Sequence, residues 1–410
     1  MREEIDVRKK VLSWLLAVSM VLSIFGSVPL TASAASYTEY NIEAGAVIIS
    51  ANGDYRIYGT GASTANTIVV NTGVTANIVL DDININVSGT SNACAFDIQG
   101  TAQISVVLAA GSENTLLSGE YKAGLQVADL AQLTIDSDAD NAGILNSYSG
   151  NYGAGIGGAY QHSGGVIIIN NGIINANASY GAGSGIGSGL YGDDCNITIN
   201  GGSITANGSG AGAGIGSGGS GDVGRIHIHG GTVVASSTGN EASYDGGSGI
   251  GSGDEGYNGE ILIDGGAVTA YGKYDCPGIG GCYGSTGTIT IRGAGTTVTA
   301  SSGLYAAAIG GGGGIINIEG GTVTANGRYR SPGIGDYDDG TTVINISGGT
   351  VISNGGEDAC GIGSGYYSEY NPLPILNFSG GNLSASHGAG ASYDISGMSA
   401  IVDKLRIPNR

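Results

Sequence analysis

Gly185-Ile186-Gly187, Gly214-Ile215-Gly216 and Gly249-Ile250-Gly251 are three of seven copies of a bare G-I-G between Gly155 and Gly363. Ala308-Ile309-Gly310 fills the one gap in the series. The isoleucines are Ile156, Ile186, Ile215, Ile250, Ile279, Ile309, Ile334 and Ile362, and successive intervals are 30, 29, 35, 29, 30, 25 and 28 residues. An internal period of this length marks a stacked architecture in which each unit contacts only its neighbours.

Two further apolar segments complete each period. One is an alternating I-x-I, as in Ile197-Thr198-Ile199, Ile226-His227-Ile228 and Ile344-Asn345-Ile346. The other reads like T-V-T-A, as in Thr297 to Ala300 and Thr322 to Ala325. β-Branched residues with period-two alternation, bounded by Gly, Asn, Ser or Asp, predict three strands of about four residues. Three strands and three turns in about 29 residues make one coil of a parallel β-helix, each strand pairing with its copy about 4.8 Å away. The fold expected is all-β, a right-handed single-stranded parallel β-helix (solenoid), with handedness set by the preferred crossover of parallel strands. Inward isoleucines should form ladders, and Asn-Gly pairs at Asn207, Asn326 and Asn354 suit left-handed corners.

The period continues upstream through Phe96 and Leu125, 29 apart, and Leu125 lies 31 before Ile156. About eleven coils follow from that spacing. The domain reading is a signal peptide over 1–34, an N-terminal cap over 35–61, the β-helix over 62–385, and a C-terminal cap or truncated end over 386–410. The leader carries Arg8-Lys9-Lys10, an apolar Val11 to Ile24 and an Ala32-Ser33-Ala34 cleavage site. The mature chain is therefore expected to be secreted or cell-wall associated, from a Gram-positive bacterium.

Without the leader, ten Lys/Arg face 31 Asp/Glu, a formal charge of −21. That charge excludes nucleic acid and, after signal cleavage, membrane as partners, since both need a cationic face. It favours cations or neutral polymers; a polyanion would need bridging metal ions. The 81 glycines follow no strict third-residue rule, so collagen is excluded. Five cysteines are an odd count for an exported chain. Cys276 and Cys282 flank one G-I-G; an extended strand would hold their Cα atoms about 20 Å apart, beyond bonding reach.

Candidate chemistry lies beside the G-I-G strand. If its isoleucine points inward, its outer face is glycine backbone, a smooth trough. Tyrosines flank it: Tyr121, Tyr152, Tyr180, Tyr244, Tyr274, Tyr305 and Tyr329 before, and Tyr160, Tyr191, Tyr257, Tyr283, Tyr337, Tyr366 and Tyr367 after. Stacked over the coils they would form two ridges. Sugar rings lie on aromatic faces, so Tyr160, Tyr180, Tyr191, Tyr244, Tyr257, Tyr274, Tyr283, Tyr305 and Tyr337 are the candidate polysaccharide-binding residues. The same loops carry Asp193, Asp194, Asp254, Glu255, Asp336, Asp338 and Asp339, carboxylates of the kind that hold calcium through six to eight oxygens. His227 and His229 face one way, without a visible third ligand for a metal. Basic residues are scattered over different faces or distant coils. Lys273 and Arg328 share a repeat position but lie two coils apart.

Thr67-Ile-Val-Val-Asn-Thr-Gly73, Ile78-Val-Leu-Asp-Asp82, Ala95-Phe96-Asp97-Ile98 and Asn114-Thr-Leu-Leu-Ser-Gly119, with the later G-I-G and G-G-T-V-T-A repeats, resemble clostridial exported right-handed parallel β-helix repeat proteins. The resemblance covers nearly all of Tyr37 to Ala385. It implies a pectate-lyase-like fold and, for some of these proteins, a carbohydrate-binding domain that grips acidic plant polysaccharide with calcium. The repeated residues build the coil, so no site residue carries over. The function expected is non-catalytic binding of a plant or cell-surface polysaccharide, assisted by calcium. A cell-surface adhesin or structural rod with protein partners is the alternative. A polysaccharide lyase using Asp275 and Lys273 is third.

Overall fold

The computed structural model describes residues 36–239, 245–282, 287–336, 342–365, 374–390 and 401–402. The chain divides into Met1–Tyr37 and Thr38–Arg410. The leader lies outside the described residues, and the second unit is the solenoid.

That unit is a parallel β-solenoid of three sheets, with 14, 12 and 11 strands among the described residues. Each sheet collects one of the three sequence segments. The arch isoleucines stand in one column in unbroken register, Ile156 to Ile186, Ile215, Ile250, Ile279, Ile309, Ile334 and Ile362. Ile68, Phe96 and Leu125 extend the column upstream. Ile197, Ile226, Ile261, Ile289, Ile316 and Ile344 form a second column, and Ala206, Ala235, Ala270, Ala300 and Ala325 a third. All eight arch isoleucines are buried, seven at 0 % exposure and Ile362 at 1 %. Burying each such side chain stabilises the coil by about 1.5–3 kcal/mol, so the columns carry the fold.

The segment expected to cap the N-terminus enters the sheets. Thr38–Asn41 pairs in parallel with Gly53–Tyr58, Thr38 opposite Tyr55, and Val47–Ile49 begins the G-I-G sheet. A shortened first coil thus stands at this end, with Tyr40 stacked on Tyr55 at 6.3 Å. At the other end Asn382–Ser386 closes the T-V-T-A sheet, and Ile401–Val402 pairs with Ile375–Phe378.

The G-I-G segment is not an extended strand of four residues. Its regular part is two residues, as in Ile186–Gly187, and the chain arches around it. Two residues before the isoleucine an N–H donates to the carbonyl two residues after it: Ala154 to Gly158 at 2.9 Å, Ser184 to Ser188 at 3.2 Å, Ala213 to Ser217 at 3.0 Å, and Ser248 to Ser252 at 3.2 Å. The arch is pinched shut at its neck, and glycine makes this possible. At Gly187 φ is +136°, and an added Cβ would lie 1.9 Å from the Gly216 carbonyl oxygen of the next coil.

Candidate functional site

The pinched arches overturn the expected trough. After the arches around Ile156, Ile186, Ile215 and Ile250 the chain crosses to the entry of the preceding one, where Tyr160 N–H donates to the Tyr121 carbonyl at 3.1 Å. Leu190 donates likewise to Tyr152 at 2.9 Å, Gly219 to Ala182 at 2.8 Å, and Asp254 to Ala211 at 2.8 Å. This outer layer covers the glycines, so Gly155, Gly157, Gly185 and Gly187 are buried. No bare backbone faces solvent there.

The arch also corrects the reading of the cysteines. Cys276 and Cys282 sit at the neck around Ile279, with Cα atoms 4.7 Å apart, joined in a disulfide. The physical reason lies in Pro277. It occupies the position whose N–H closes the four preceding necks, and proline has none to give. The covalent bond one residue further out holds the neck instead. Pro332 removes the same donor two coils on, without a disulfide. Cys94, Cys195 and Cys360 are free thiols, and burial pushes Cys195 up to about 12, leaving it a structural thiol at neutral pH.

Because the flanks interlock, tyrosines of the two sides meet in one cluster, and those of the leading side form a second, so they do not border a channel. Tyr121 stacks on Tyr152 at 5.6 Å, and Tyr160, from the other flank, lies 5.6 and 5.7 Å from these two and 6.0 Å from Tyr191. A second cluster joins Tyr274 to Tyr305 at 6.4 Å and Tyr305 to Tyr329 at 5.7 Å. Tyr180 and Tyr257 are exposed and join neither cluster. Tyr244, Tyr283 and Tyr337 lie outside the described residues. Tyr121, Tyr152 and Tyr305 have φ of 68°, 73° and 63°. Ala182 and Arg330 at the same repeat position are also positive, so the turn and not the ring demands this conformation.

The acidic residues occupy different columns. Asp193 and Asp194 fall seven and eight residues after an arch isoleucine, Asp254 and Glu255 four and five, Asp336 two. Asp193 accepts the Asp222 N–H at 2.9 Å, Glu255 the Ser220 hydroxyl at 3.2 Å, and buried Asp336 the Thr342 hydroxyl at 3.2 Å. Asp194 is exposed in a left-handed turn, and Asp338 and Asp339 lie outside the described residues. The fold brings Asp254 instead to Asp275, with the Cys276 sulfur within 4.8 Å. That sulfur is half of the disulfide and has no thiolate to offer, so two carboxylates remain. Burial first, then Asp275 and Glu255, raises Asp254 to about 6. Its Oδ1 is buried without a hydrogen-bond partner among the described residues. His229 Nδ1 bonds Asp264 at 2.6 Å, and Arg292 reaches the same carboxylate at 3.2 Å, which accounts for the histidine without a metal.

A groove lies elsewhere, at the corner where the T-V-T-A sheet turns into the arches. It encloses about 500 Å³ and is lined from four successive coils: Ser236 to Gly239, Tyr271 to Lys273, Ser301 with Ser302, and Arg328. Three of its lining residues, Ser236, Tyr271 and Ser301, belong to one register column: Tyr148, Asn177, Asn207, Ser236, Tyr271, Ser301, Asn326, Asn354 and Ser386. Small polar side chains staple most of this column. Asn207 Nδ2 donates to Asn177 Oδ1 at 2.8 Å, and Ser236 to Asn207 at 2.6 Å. Asn354 donates to Asn326 at 2.9 Å, and Ser386 to Asn354 at 2.8 Å. Among the described residues the staple stops between Ser236 and Asn326. There Tyr271, in register with Ser301, is 43 % exposed. The Ser237, Thr238 and Ser302 side chains serve the backbone, Ser302 accepting the Arg328 N–H at 3.0 Å. Lys273 is anchored through its N–H to the Gly247 carbonyl and its carbonyl to the Cys276 N–H, each at 3.1 Å. Sequence reasoning passed over Tyr271, although its signal was present: T-V-T-A is followed by Asn or Ser in the neighbouring coils and by tyrosine here alone.

Comparison with known proteins agrees with this architecture. The family model described as Beta helix repeat matches residues 197–219, 226–254, 261–285, 289–313, 316–336 and 344–366. No curated protein and no solved structure gave a match. The chain folds as an all-β parallel β-solenoid, and the matched repeats fall within it.

Proposed function

We propose that this chain is an exported, non-catalytic polysaccharide-binding protein whose glycan lies along the four-coil groove. The observation that carries the reading is the break in the polar staple, where an exposed tyrosine ring replaces a structural Asn or Ser over an open, hydroxyl-lined furrow. An aromatic face takes the apolar side of a sugar while hydroxyls and cations take its polar groups. A furrow running across coils suits an extended polymer better than a compact ligand. The β-helix repeat fold is compatible with carbohydrate-binding and pectate-lyase-like proteins alike. Binding is preferred here because the described lining holds neither carboxylate nor histidine for general acid–base work. The buried disulfide suits an oxidising compartment and so supports export.

A glycan array probed with the mature chain tests the proposal. Retention should appear with no release of unsaturated or reducing ends. Tyr271→Ala should weaken it about tenfold, the order expected for one aromatic–sugar contact with its buried area. Tyr180→Ala, on an exposed ring outside the groove, should leave it unchanged. Retention by neither wild type nor variant, or product release, would overturn the reading.

A further inference from the structure

The groove carries a charge pattern opposite to that of its protein. The chain has 14 Lys and Arg against 34 Asp and Glu, yet the two charged residues of the described lining, Lys273 and Arg328, are both cationic. They share the repeat position six before the arch isoleucine, and the coil between presents Ser301 and Ser302 to the same furrow. Two coils put the cations about 10 Å apart along the solenoid. Lys273 makes no ion pair among the described residues. A guanidinium has five N–H donors in a planar fork, so Arg328 can keep a bond elsewhere and still meet a carboxylate. Each cation's backbone is fixed, Lys273 beside the disulfide-closed neck and Arg328 on the Ser302 hydroxyl.

An extended pyranose chain advances about as far per sugar as the solenoid does per coil. Two cations two coils apart, with a hydroxyl between, therefore match acidic groups on alternate sugars. We propose that the groove selects a glycan bearing a carboxylate on every second sugar and pairs those carboxylates directly with Lys273 and Arg328, without a bridging metal ion. Tyr271 stacks on a ring of that chain, and the Ser301 hydroxyl faces the neutral sugar between the two charges. The inference rests on the groove being a polysaccharide site and adds the class of polysaccharide. It also replaces the expectation that a polyanion needs metal ions to approach this acidic chain. The local field of the furrow, not the net charge, governs a ligand held at contact distance, because salt screens charges beyond about 10 Å.

The test is calorimetric titration of the disulfide-bonded mature chain with an oligosaccharide of alternating glucuronate and N-acetylglucosamine, in chelator. The carboxyl methyl ester of the same oligosaccharide is the paired probe. The acid form should bind, and the ester about tenfold or more weaker, the scale of one lost charge-assisted hydrogen bond. Lys273→Glu should weaken the acid form by about a hundredfold, and Lys273→Arg should keep most of it. Raising the salt should weaken the acid form and not the ester. Disulfide content and far-UV circular dichroism control for folding. Equal affinity for acid and ester would overturn charge selection while leaving the polysaccharide reading intact. Binding only with added calcium would overturn direct pairing. Unchanged binding by Lys273→Glu would move the site out of the groove. Failure of both probes, with other glycans retained on the array, would refute the alternating-acid class alone; an empty array would refute both proposals.

Discussion

Reducing the Cys276–Cys282 bond should open one arch and leave its neighbours closed. The bond closes a loop of six-residue separation, for which chain entropy alone gives about 2 kcal/mol. In the four preceding arches the neck is held by an N–H to carbonyl bond, as from Ser248 to Ser252 at 3.2 Å, but Pro277 has no N–H to supply one. The reduced arch around Ile279 therefore keeps its bonds to neighbouring coils, such as Ile279 N–H to the Ala308 carbonyl at 3.0 Å, but loses the link across its neck. A loss of about 2 kcal/mol in local opening corresponds to about 30-fold faster amide exchange. Hydrogen exchange read by mass spectrometry, with and without reductant, should show that acceleration in peptides covering Lys273 to Cys282. Peptides around Ile215, two coils away, should be unchanged, because repeat units couple to their nearest neighbours. The Cys276→Ser, Cys282→Ser double variant should behave as the reduced protein does. Equal exchange in both redox states would refute the claim that the disulfide stands in for the missing hydrogen bond.

Other consequences follow from single positions. Asp254 is raised from its ordinary 3.8 to about 6, so its contribution to stability is complete below pH 4 and lost as pH rises through 6. The shift amounts to about 3 kcal/mol undiscounted, and partial solvent exposure reduces it to about 1–2 kcal/mol. Asp254→Asn should therefore be more stable than wild type at pH 7 by that amount and equal to it near pH 4, read as urea midpoints; a pH-independent difference would contradict this. Gly187→Ala should cost about 3 kcal/mol or more, from a Cβ forced to 1.9 Å from Gly216 O at positive φ. Gly45→Ala, where a Cβ meets nothing within 4 Å, should change the urea midpoint by no more than about 0.5 kcal/mol equivalent. Ile250→Ala should destabilise by about 2–5 kcal/mol, since the side chain is wholly buried in its ladder.

The ladders were legible because a stacked coil writes the same environment at each period. Ile186, Ile215 and Ile250 meet the same neighbours, and even Phe96, without the glycines, and Leu125, with only Gly124, fall into register on spacing and apolarity. What the sequence concealed was carried by backbone. The bond from Ser184 N–H to Ser188 O, and the crossing of Leu190 onto Tyr152, need no particular side chain, so nothing marked the arch as pinched or its glycines as covered. The misread of Cys276 and Cys282 follows from that single omission, because an extended strand and a closed arch differ by some 15 Å in Cα separation at the same spacing. Lys273 and Arg328 looked scattered because two coils are many residues in sequence and only about 10 Å in space. Tyr271 was visible as an aromatic between Ser236 and Ser301 in a column that also holds Tyr148 at its upstream end, but an anomaly in a repeat reads as drift until the fold shows it lining a furrow.

The account turns on where a glycan sits. Hydrogen exchange of the mature chain, with and without a glycan retained on the array, locates it directly. Slowed exchange in peptides covering Ser236 to Gly239, Tyr271 to Lys273 and Ser301 to Ser302, with the Tyr121, Tyr152 and Tyr160 cluster unaffected, is the predicted footprint. Protection centred on that tyrosine cluster, or spread evenly over all coils, would contradict it.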